Sequence, residues 1–344
     1  MFAVRFPLEH IVKGKQILMM KKVLNKRFRY VISNYQVYFP VINLSPDQKE
    51  FIQSFGGEIL EVDKNFFPKK AISLSLKELE KKYKKKLPKS VTILGDILLI
   101  NQVEEDEKQD EIGEILRKNF GVRAVFLKVR ETGGKYRIAQ WKRIAGFGST
   151  LTIHKEGRYY FIVDVSKVFF NPRLGNERNR VISQIKGDEI VIDMFSGVGS
   201  FSIPIAKKAS KVYAIDINPH AIDFLKMNIK INKVDPERLV AIIGDSKREV
   251  PRLGTIADRI IMNYPEGSFE FIEAALRAIN QKGVIHLYNF CRAYEKNKAI
   301  SNTKKLVEAT LGKLVSSYKI LFSRIVEDVA PRKFMVASDI FVKI

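Results

Sequence analysis

From about Gly187 onward the sequence alternates short apolar strands with helical stretches, and this pattern constrains the fold more than any other feature of the chain. Strands are expected at Glu189–Phe195, Lys211–Ile217, Leu239–Gly244, Arg259–Asn263 and Gly283–Tyr288. Helical stretches separate them, notably Ala221–Ile231 and Phe269–Ala278. Parallel strands need long crossovers, usually helical, so the alternation predicts an α/β fold with a mostly parallel sheet covered on both faces. After a helix around Asn302–Leu311, two further strands, Ser317–Phe322 and Phe334–Val342, flank Pro331 and close the sheet.

The preceding half reads differently. Residues 1–66 mix short apolar and basic segments, with a helix expected at Lys15–Lys26 and a strand at Tyr35–Val41. A lysine-rich linker follows at 67–89, and within it KKYKKK (Lys81–Lys86) places five lysines in six residues. That run fits a phosphate-contacting arm or an ordinary solvated helix face. Residues 90–180 form a smaller α+β unit. Its strands are expected at Val91–Ile100, Val122–Val129 and Arg158–Val165, and the acidic stretch Glu104–Glu114 leads into a helix capped near Gly121. The sheet-forming segment is then 181–344.

Charge narrows the partners. Lys and Arg number 60 against 38 Asp and Glu, a formal charge of +22. A surface rich in ion pairs would raise both signs together, whereas an excess of one sign points to phosphates on a nucleic acid or an anionic membrane. No run reaches the roughly 18 apolar residues of a membrane span, and the first residues lack a long apolar signal core, so a cytoplasmic protein is expected. Cys291 is the single cysteine, which rules out an intrachain disulfide or a cysteine zinc cluster, and four scattered histidines suggest no metal site.

The strongest local signal is DMFSGVGSFS, Asp193–Ser202, between a strand and a helix. Gly197 and Gly199 permit a tight turn and close approach of a ligand to the backbone. A dinucleotide fingerprint would place a third glycine at Ser202, and Asp193 would repel a diphosphate. The same acid suits the cationic methionine portion of S-adenosylmethionine. Asp216 ends the next strand about twenty residues on, where an acid accepts from ribose hydroxyls. Asp245 ends the third and can accept from an adenine amino group. Each acid alone could be a helix N-cap. Together they occupy the strand-end edge at which open α/β sheets bind ligands. The fourth strand ends in Asn263-Tyr264-Pro265, an Asn-x-Pro turn suited to orienting a planar nitrogen nucleophile, with the proline stiffening it.

At this point the sequence resembles the archaeal and eukaryotic tRNA (guanine-37-N1)-methyltransferases and their wyosine-pathway relatives. The resemblance rests on Val91–Ile100, Gly134–Arg137, NPRLGNER (Asn171–Arg178), Asp193–Pro204, DINPHA (Asp216–Ala221), Asn263–Pro265, and Val329–Arg332 with Asp339-Ile340. It covers residues 90–344 well and residues 1–66 less specifically. It implies a Rossmann-like class I methyltransferase domain with a seven-stranded sheet, preceded by smaller α+β domains. It also implies S-adenosylmethionine as cofactor, held by Asp193, Phe195, Gly197, Gly199, Asp216, Ile217, Asp245 and Asn263. By the same resemblance Glu177 is the general base for guanine N1, Arg137 contacts O6, and Asn263 with Pro265 orients the base. The implied partner is tRNA, gripped at the anticodon stem-loop and the outer corner by a monomer. From residues alone, Glu177 could equally pair with Arg173 or Arg180, and Arg137 could meet a phosphate.

One position departs from the pattern. Methylating members usually carry Leu where this chain has Tyr264, a ring able to stack on the target base or to alter the substrate range. C7 methylation or aminocarboxypropyl transfer at the same nucleotide therefore stays open, as does a non-catalytic RNA-binding protein with a degenerate methyltransferase fold. A DNA or protein methyltransferase fits the NPRLGNER segment poorly, and a nicotinamide-dependent oxidoreductase fits Ser202 and Asp193 poorly.

Overall fold

The computed structural model describes residues 1–63, 65–69, 73–104 and 108–344. Residues 70–72 of the expected linker and 105–107 of the acidic stretch lie outside the described residues. The chain divides into two compact units, Met1–Phe169 and Phe170–Ile344.

The first unit opens with β1 (Phe2–Pro7), α1 (Ile11–Met20), β2 (Val31–Ser33), β3 (Gln36–Val41), α2 (Pro46–Ser54) and β4 (Glu58–Glu61). The four strands form an antiparallel sheet in the order β2-β3-β1-β4. The helix expected at Lys15–Lys26 instead runs from Ile11 to Met20. Lys22 adopts a left-handed conformation (φ +56°), and Val23 N–H closes onto the Leu18 carbonyl. No glycine marks this stop, so the sequence hides it.

Next come α3 (Leu76–Tyr83), β5 (Val91–Leu94), β6 (Ile97–Ile100), α4 (Gln109–Phe120), β7 (Ala124–Gly133) and β8 (Ile138–Gly146), with sheet order β5-β6-β7-β8. Val91–Ile100 is thus a hairpin rather than one strand, and Gly95 (φ +58°) leads its two-residue turn. Within the expected linker, Leu79 and Leu87 are buried with Leu98, Ile100 and Ile112, while the lysines of α3 face outward. A two-stranded ribbon, β9 (Leu151–Glu156) with β10 (Tyr159–Asp164), completes the unit. Arg123 joins its parts. Wholly buried, it bonds Asp96 and the carbonyls of Phe147, Ser149 and Leu151, while Asp96 accepts from Ile32 N–H and Thr152 Oγ1.

The second unit begins with a 3-10 turn (Pro172–Leu174) and α5 (Gly175–Ser183). There follow β11 (Ile190–Asp193), α6 (Ser202–Ala206), β12 (Lys211–Asp216), α7 (Pro219–Ile231), β13 (Leu239–Ile243), α8 (Ser246–Arg252) and β14 (Ala257–Met262). A second 3-10 turn (Ser268–Phe271), α9 (Ile272–Leu276), β15 (Ile279–Arg292), α10 (Lys296–Leu311), β16 (Ser317–Ala330) and β17 (Lys333–Lys343) end the chain. Seven strands pair in the order β13-β12-β11-β14-β15-β17-β16. The first five are parallel, and β17 pairs antiparallel with both β15 and β16. Ile192, Ile215, Ile260, Met262, Ile285 and Leu287 pack in its core. Truncating such a residue to alanine costs about 2–5 kcal/mol. The unit boundary falls ahead of α5, earlier than position 181, because α5 bonds β15, β16 and β17 through Glu177 and Arg180.

Candidate active site

Four polar residues stand at the carboxyl ends of four adjacent parallel strands. Asp193 ends β11, Asp216 ends β12, Asp245 follows β13 and Asn263 follows β14. The turn after β11 is held by Met194 N–H on the Ile261 carbonyl (3.0 Å) and Ser196 N–H on the Ile215 carbonyl (2.9 Å). Gly197 (φ +54°) and Gly199 (φ +89°) supply the left-handed geometry that this turn needs. A side chain at Gly199 would also lie 2.4 Å from Leu225 Cδ1, so this glycine serves close packing of α7.

Asp193 is buried. Its Oδ2 accepts from Ser202 Oγ at 2.6 Å, and its Oδ1 has no hydrogen-bond partner. Burial raises the carboxyl, which the Ser202 hydroxyl and the Phe195 backbone only partly offset, and it is pushed up to about 7. A buried orphan oxygen is unfavourable by about 1–3 kcal/mol until a donor or cation arrives. The site therefore fits the cationic methionine end of S-adenosylmethionine. Asp216 accepts from Gly197 N–H (2.8 Å) and Asn218 N–H (2.9 Å), and burial raises its carboxyl. These bonds fix the carboxylate while its further lone pairs remain available to ribose hydroxyls. Ile217 follows it, half-buried. Asp245 caps α8 through Lys247 N–H at 2.9 Å, so one of its oxygens performs the capping role that the sequence also allowed.

The Asn263 side chain is half-buried and Pro265 is buried. Ser268 organises their turn. Its buried hydroxyl lies 2.7 Å from the Tyr264 carbonyl, 2.7 Å from the Tyr288 carbonyl and 3.1 Å from the Met262 carbonyl. The Tyr264 ring packs on Phe195 (centroids 5.1 Å, 31°) and meets Phe271 edge-on (5.8 Å, 83°). Tyr264 thus joins the wall that contains Phe195.

Glu177 lies buried in the first turn of α5. It accepts from Arg180 Nη2 (2.8 Å), Tyr288 Oη (2.9 Å) and Arg324 Nε (3.1 Å). Arg173 pairs with Glu327 instead. Behind Arg180 stands Asp339, which also accepts from Gln184 Nε2 (3.0 Å) and contacts His286 Nδ1 (2.6 Å). Burial alone would raise the Asp339 carboxyl, but the bonds from Arg180 and His286 outweigh it and hold it well below the usual carboxylate range. Burial lowers His286 despite Asp339. Its Nε2 faces Arg259 Nη1 at 2.8 Å, and arginine can only donate, so His286 is neutral with its proton on Nδ1. Burial and the neighbouring Glu177 raise the Tyr288 phenol well above its ordinary value.

Arg137 belongs to the first unit, between β7 and β8. It has φ +53°, and its guanidinium stacks 5.1 Å from the Phe169 ring centre. Glu177, Asn263, Pro265 and the residues expected to hold the cofactor belong to the second unit. The sequence reading gave no catalytic role to Arg180, His286, Tyr288, Arg324 or Asp339. A signal existed for two of them: His286 and Asp339 interrupt apolar strands, VIHLYNF and MVASDIFV, where an unpaired polar group would be costly. Among the described residues, no group of His, Cys, Asp and Glu could hold a metal ion, and no helix is long and apolar enough to cross a membrane.

The strand order, the acids at the ends of β11 and β12, and the Asn-x-Pro turn after β14 define a class I methyltransferase. Residues 152–315 match the TRM5/TYW2 methyltransferase domain, and residues 72–149 match the TYW2 N-terminal domain. The chain is 37% identical over 340 residues to the tRNA (guanine(37)-N(1))-methyltransferase Trm5b of Methanocaldococcus jannaschii, covering 96% of each. It is 35% identical over 258 residues to the tRNA 4-demethylwyosine(37)-methyltransferase Taw21 of Saccharolobus solfataricus, covering 73% of this chain and 93% of Taw21. The solved complex of aTrm5 and tRNALeu superposes with a TM-score of 0.69 at 33% identity over 100% of both chains. This chain belongs to the TRM5/TYW2 methyltransferase family.

Proposed function

We propose that the chain is a tRNA (guanine(37)-N1)-methyltransferase that takes its methyl group from S-adenosylmethionine. One observation carries the chemistry: Tyr288 joins the base to the positioning turn. Its hydroxyl bonds Glu177, and its carbonyl shares Ser268 with the Asn263–Pro265 turn. The identity to Trm5b over 96% of the chain supports the choice of substrate.

S-adenosylmethionine supplies an electrophilic methyl when bound. Guanine N1 carries a proton at neutral pH, so a base must remove it as the N1–methyl bond forms. Glu177 is that base. Its oxygens are engaged by Arg180, Tyr288 and Arg324, so one donor must yield to the N1 proton. Arg324, 39% exposed against 19% for Arg180, is the donor free to swing away. Asn263 holds the base in line with the methyl. Arg137 balances the negative charge that moves toward O6. The catalytic and middle domains grip the anticodon stem-loop, and the sheet of residues 1–66 contacts the outer corner, in keeping with the charge of +22.

Transfer of labelled methyl to tRNA transcripts carrying G37 or A37 tests the assignment. Labelling of the G37 transcript alone is expected, and equal labelling of both contradicts it. A second reading, C7 methylation of a wyosine intermediate at the same nucleotide, rests on the likeness to Taw21.

A further inference from the structure

β15 runs past the sheet edge. Its last rung with β14 is Met262 with Leu287, yet it continues to Arg292. Five more residues at about 3.3 Å each carry it roughly 16 Å beyond that rung. Over this stretch it pairs with β17, through Phe290 with Met335 and Arg292 with Lys333. The overhang is fixed to the reactive turn, because Phe290 N–H donates to the Pro265 carbonyl at 2.8 Å. Its tip is also fixed, because Ala293 N–H donates to the Arg332 carbonyl at 3.0 Å.

The tip carries aromatic rings and cations in pairs. Tyr294 is 81% exposed, and the Arg332 guanidinium lies 4.5 Å from its ring centre. Lys333 Nζ lies 4.3 Å from the Phe290 ring centre. Arg292 is exposed beside them, and Lys296 pairs with Asp328 at 2.8 Å. An exposed ring backed by a guanidinium is a preformed stacking step, with the cation strengthening the ring's hold on a base and its charge available to a phosphate. The core gains little from a ring that is 81% exposed.

We propose that this overhang binds the unpaired loop nucleotides flanking the target base, with Tyr294 as the stacking platform and Arg332, Arg292 and Lys333 as phosphate contacts. The inference rests on the anticodon-loop assignment above. Its ligand is single-stranded RNA, chosen by the charge of the tip and by its continuity with the Asn263–Pro265 turn. A splayed target base leaves its neighbours unstacked, and a second platform beside the site would replace the lost stacking.

The test is fluorescence anisotropy with a labelled anticodon stem-loop RNA and with full-length tRNA. It uses the full chain and its Tyr294→Ala, Tyr294→Phe and Arg332→Ala variants. Loss of one base–aromatic stack predicts at least fivefold to tenfold weaker binding for Tyr294→Ala on both RNAs. Tyr294→Phe should stay within about twofold, since stacking needs no hydroxyl. Arg332→Ala should weaken binding and reduce the salt slope by about one. KM for RNA should rise in Tyr294→Ala while kcat and the melting temperature hold. Unchanged binding by Tyr294→Ala, or weakening seen only with full-length tRNA, overturns the inference and leaves the anticodon-loop assignment intact. A wild-type chain that binds tRNA but not the stem-loop overturns both.

Discussion

Arg180 binds two carboxylates at once, donating to Glu177 Oε1 at 2.8 Å and to Asp339 Oδ1 at 2.8 Å through the same Nη2. Its planar fork lets one side chain from α5 tie the proposed base to β17. Burial would lower the guanidinium, but its bonds to Asp339 and Glu177 more than offset this and keep Arg180 charged. Asp339 is in turn fixed by Gln184 and His286. The orientation of Glu177 therefore depends on a residue it never touches.

Asp339→Asn should lower kcat by a factor of about 10, less than the 10²–10⁴ typical of losing a general base itself, and leave KM for tRNA nearly unchanged. If Asp339 acts through Glu177, the same substitution in a Glu177→Ala background should have little further effect, because residues acting through one group are not additive. A full additional loss in the double variant would assign Asp339 to structure alone. Thermal melting of each variant separates that outcome from unfolding.

Asp193 sets a pH dependence whose sign is fixed by burial. Its folded value is raised to about 7 from an ordinary value near 4, so the stability it contributes is complete at low pH. That contribution is lost as pH rises toward 7. Cofactor binding runs the other way, since the ligand's positive end pairs with the ionised acid. S-adenosylmethionine affinity should rise between pH 5.5 and 7, by roughly tenfold per unit where Asp193 is mostly protonated. Asp193→Asn should flatten both profiles, as read by calorimetric titration and by melting.

Arg123 is the test of how the first unit is built. Arg123→Met leaves Asp96 as a buried, unpaired carboxylate, and breaking a buried pair in this way costs about 3–5 kcal/mol. Urea unfolding should show the first unit lost at lower denaturant. Binding of S-adenosylmethionine, assigned to the second unit, should persist. Equal loss of both would show that the two units fold as one.

The seven-stranded sheet was legible because parallel strands buried on both faces leave apolar runs, such as VYAI before Asp216 and IIM before Asn263. The polar strand ends were legible for the same reason: an acid or an amide, Asp193, Asp216, Asp245 or Asn263, follows each run. The first unit was harder to read. The α1 stop at Lys22 has no glycine to mark it, whereas Gly95-Asp96 between two apolar runs is a two-residue hairpin signal that the single-strand reading passed over. The partners of Glu177 come from positions 180, 288 and 324, and only the antiparallel return of β16 and β17 brings the last one near. Spacing along the chain holds no trace of that contact. Tyr264 offered two readings from sequence, base stacking and an altered substrate range, and its packing on Phe195 is a contact that neither reading named.

The most direct test of the central claim is mass spectrometry of nucleosides from a G37-bearing, unmodified tRNA incubated with S-adenosylmethionine and the chain. Wild type, Glu177→Ala and Arg137→Ala should be compared. The account predicts 1-methylguanosine at position 37 with wild type, and loss of most of it with each variant while S-adenosylmethionine still binds. Absence of 1-methylguanosine with cofactor-bound wild type, or full activity in Glu177→Ala, would contradict it.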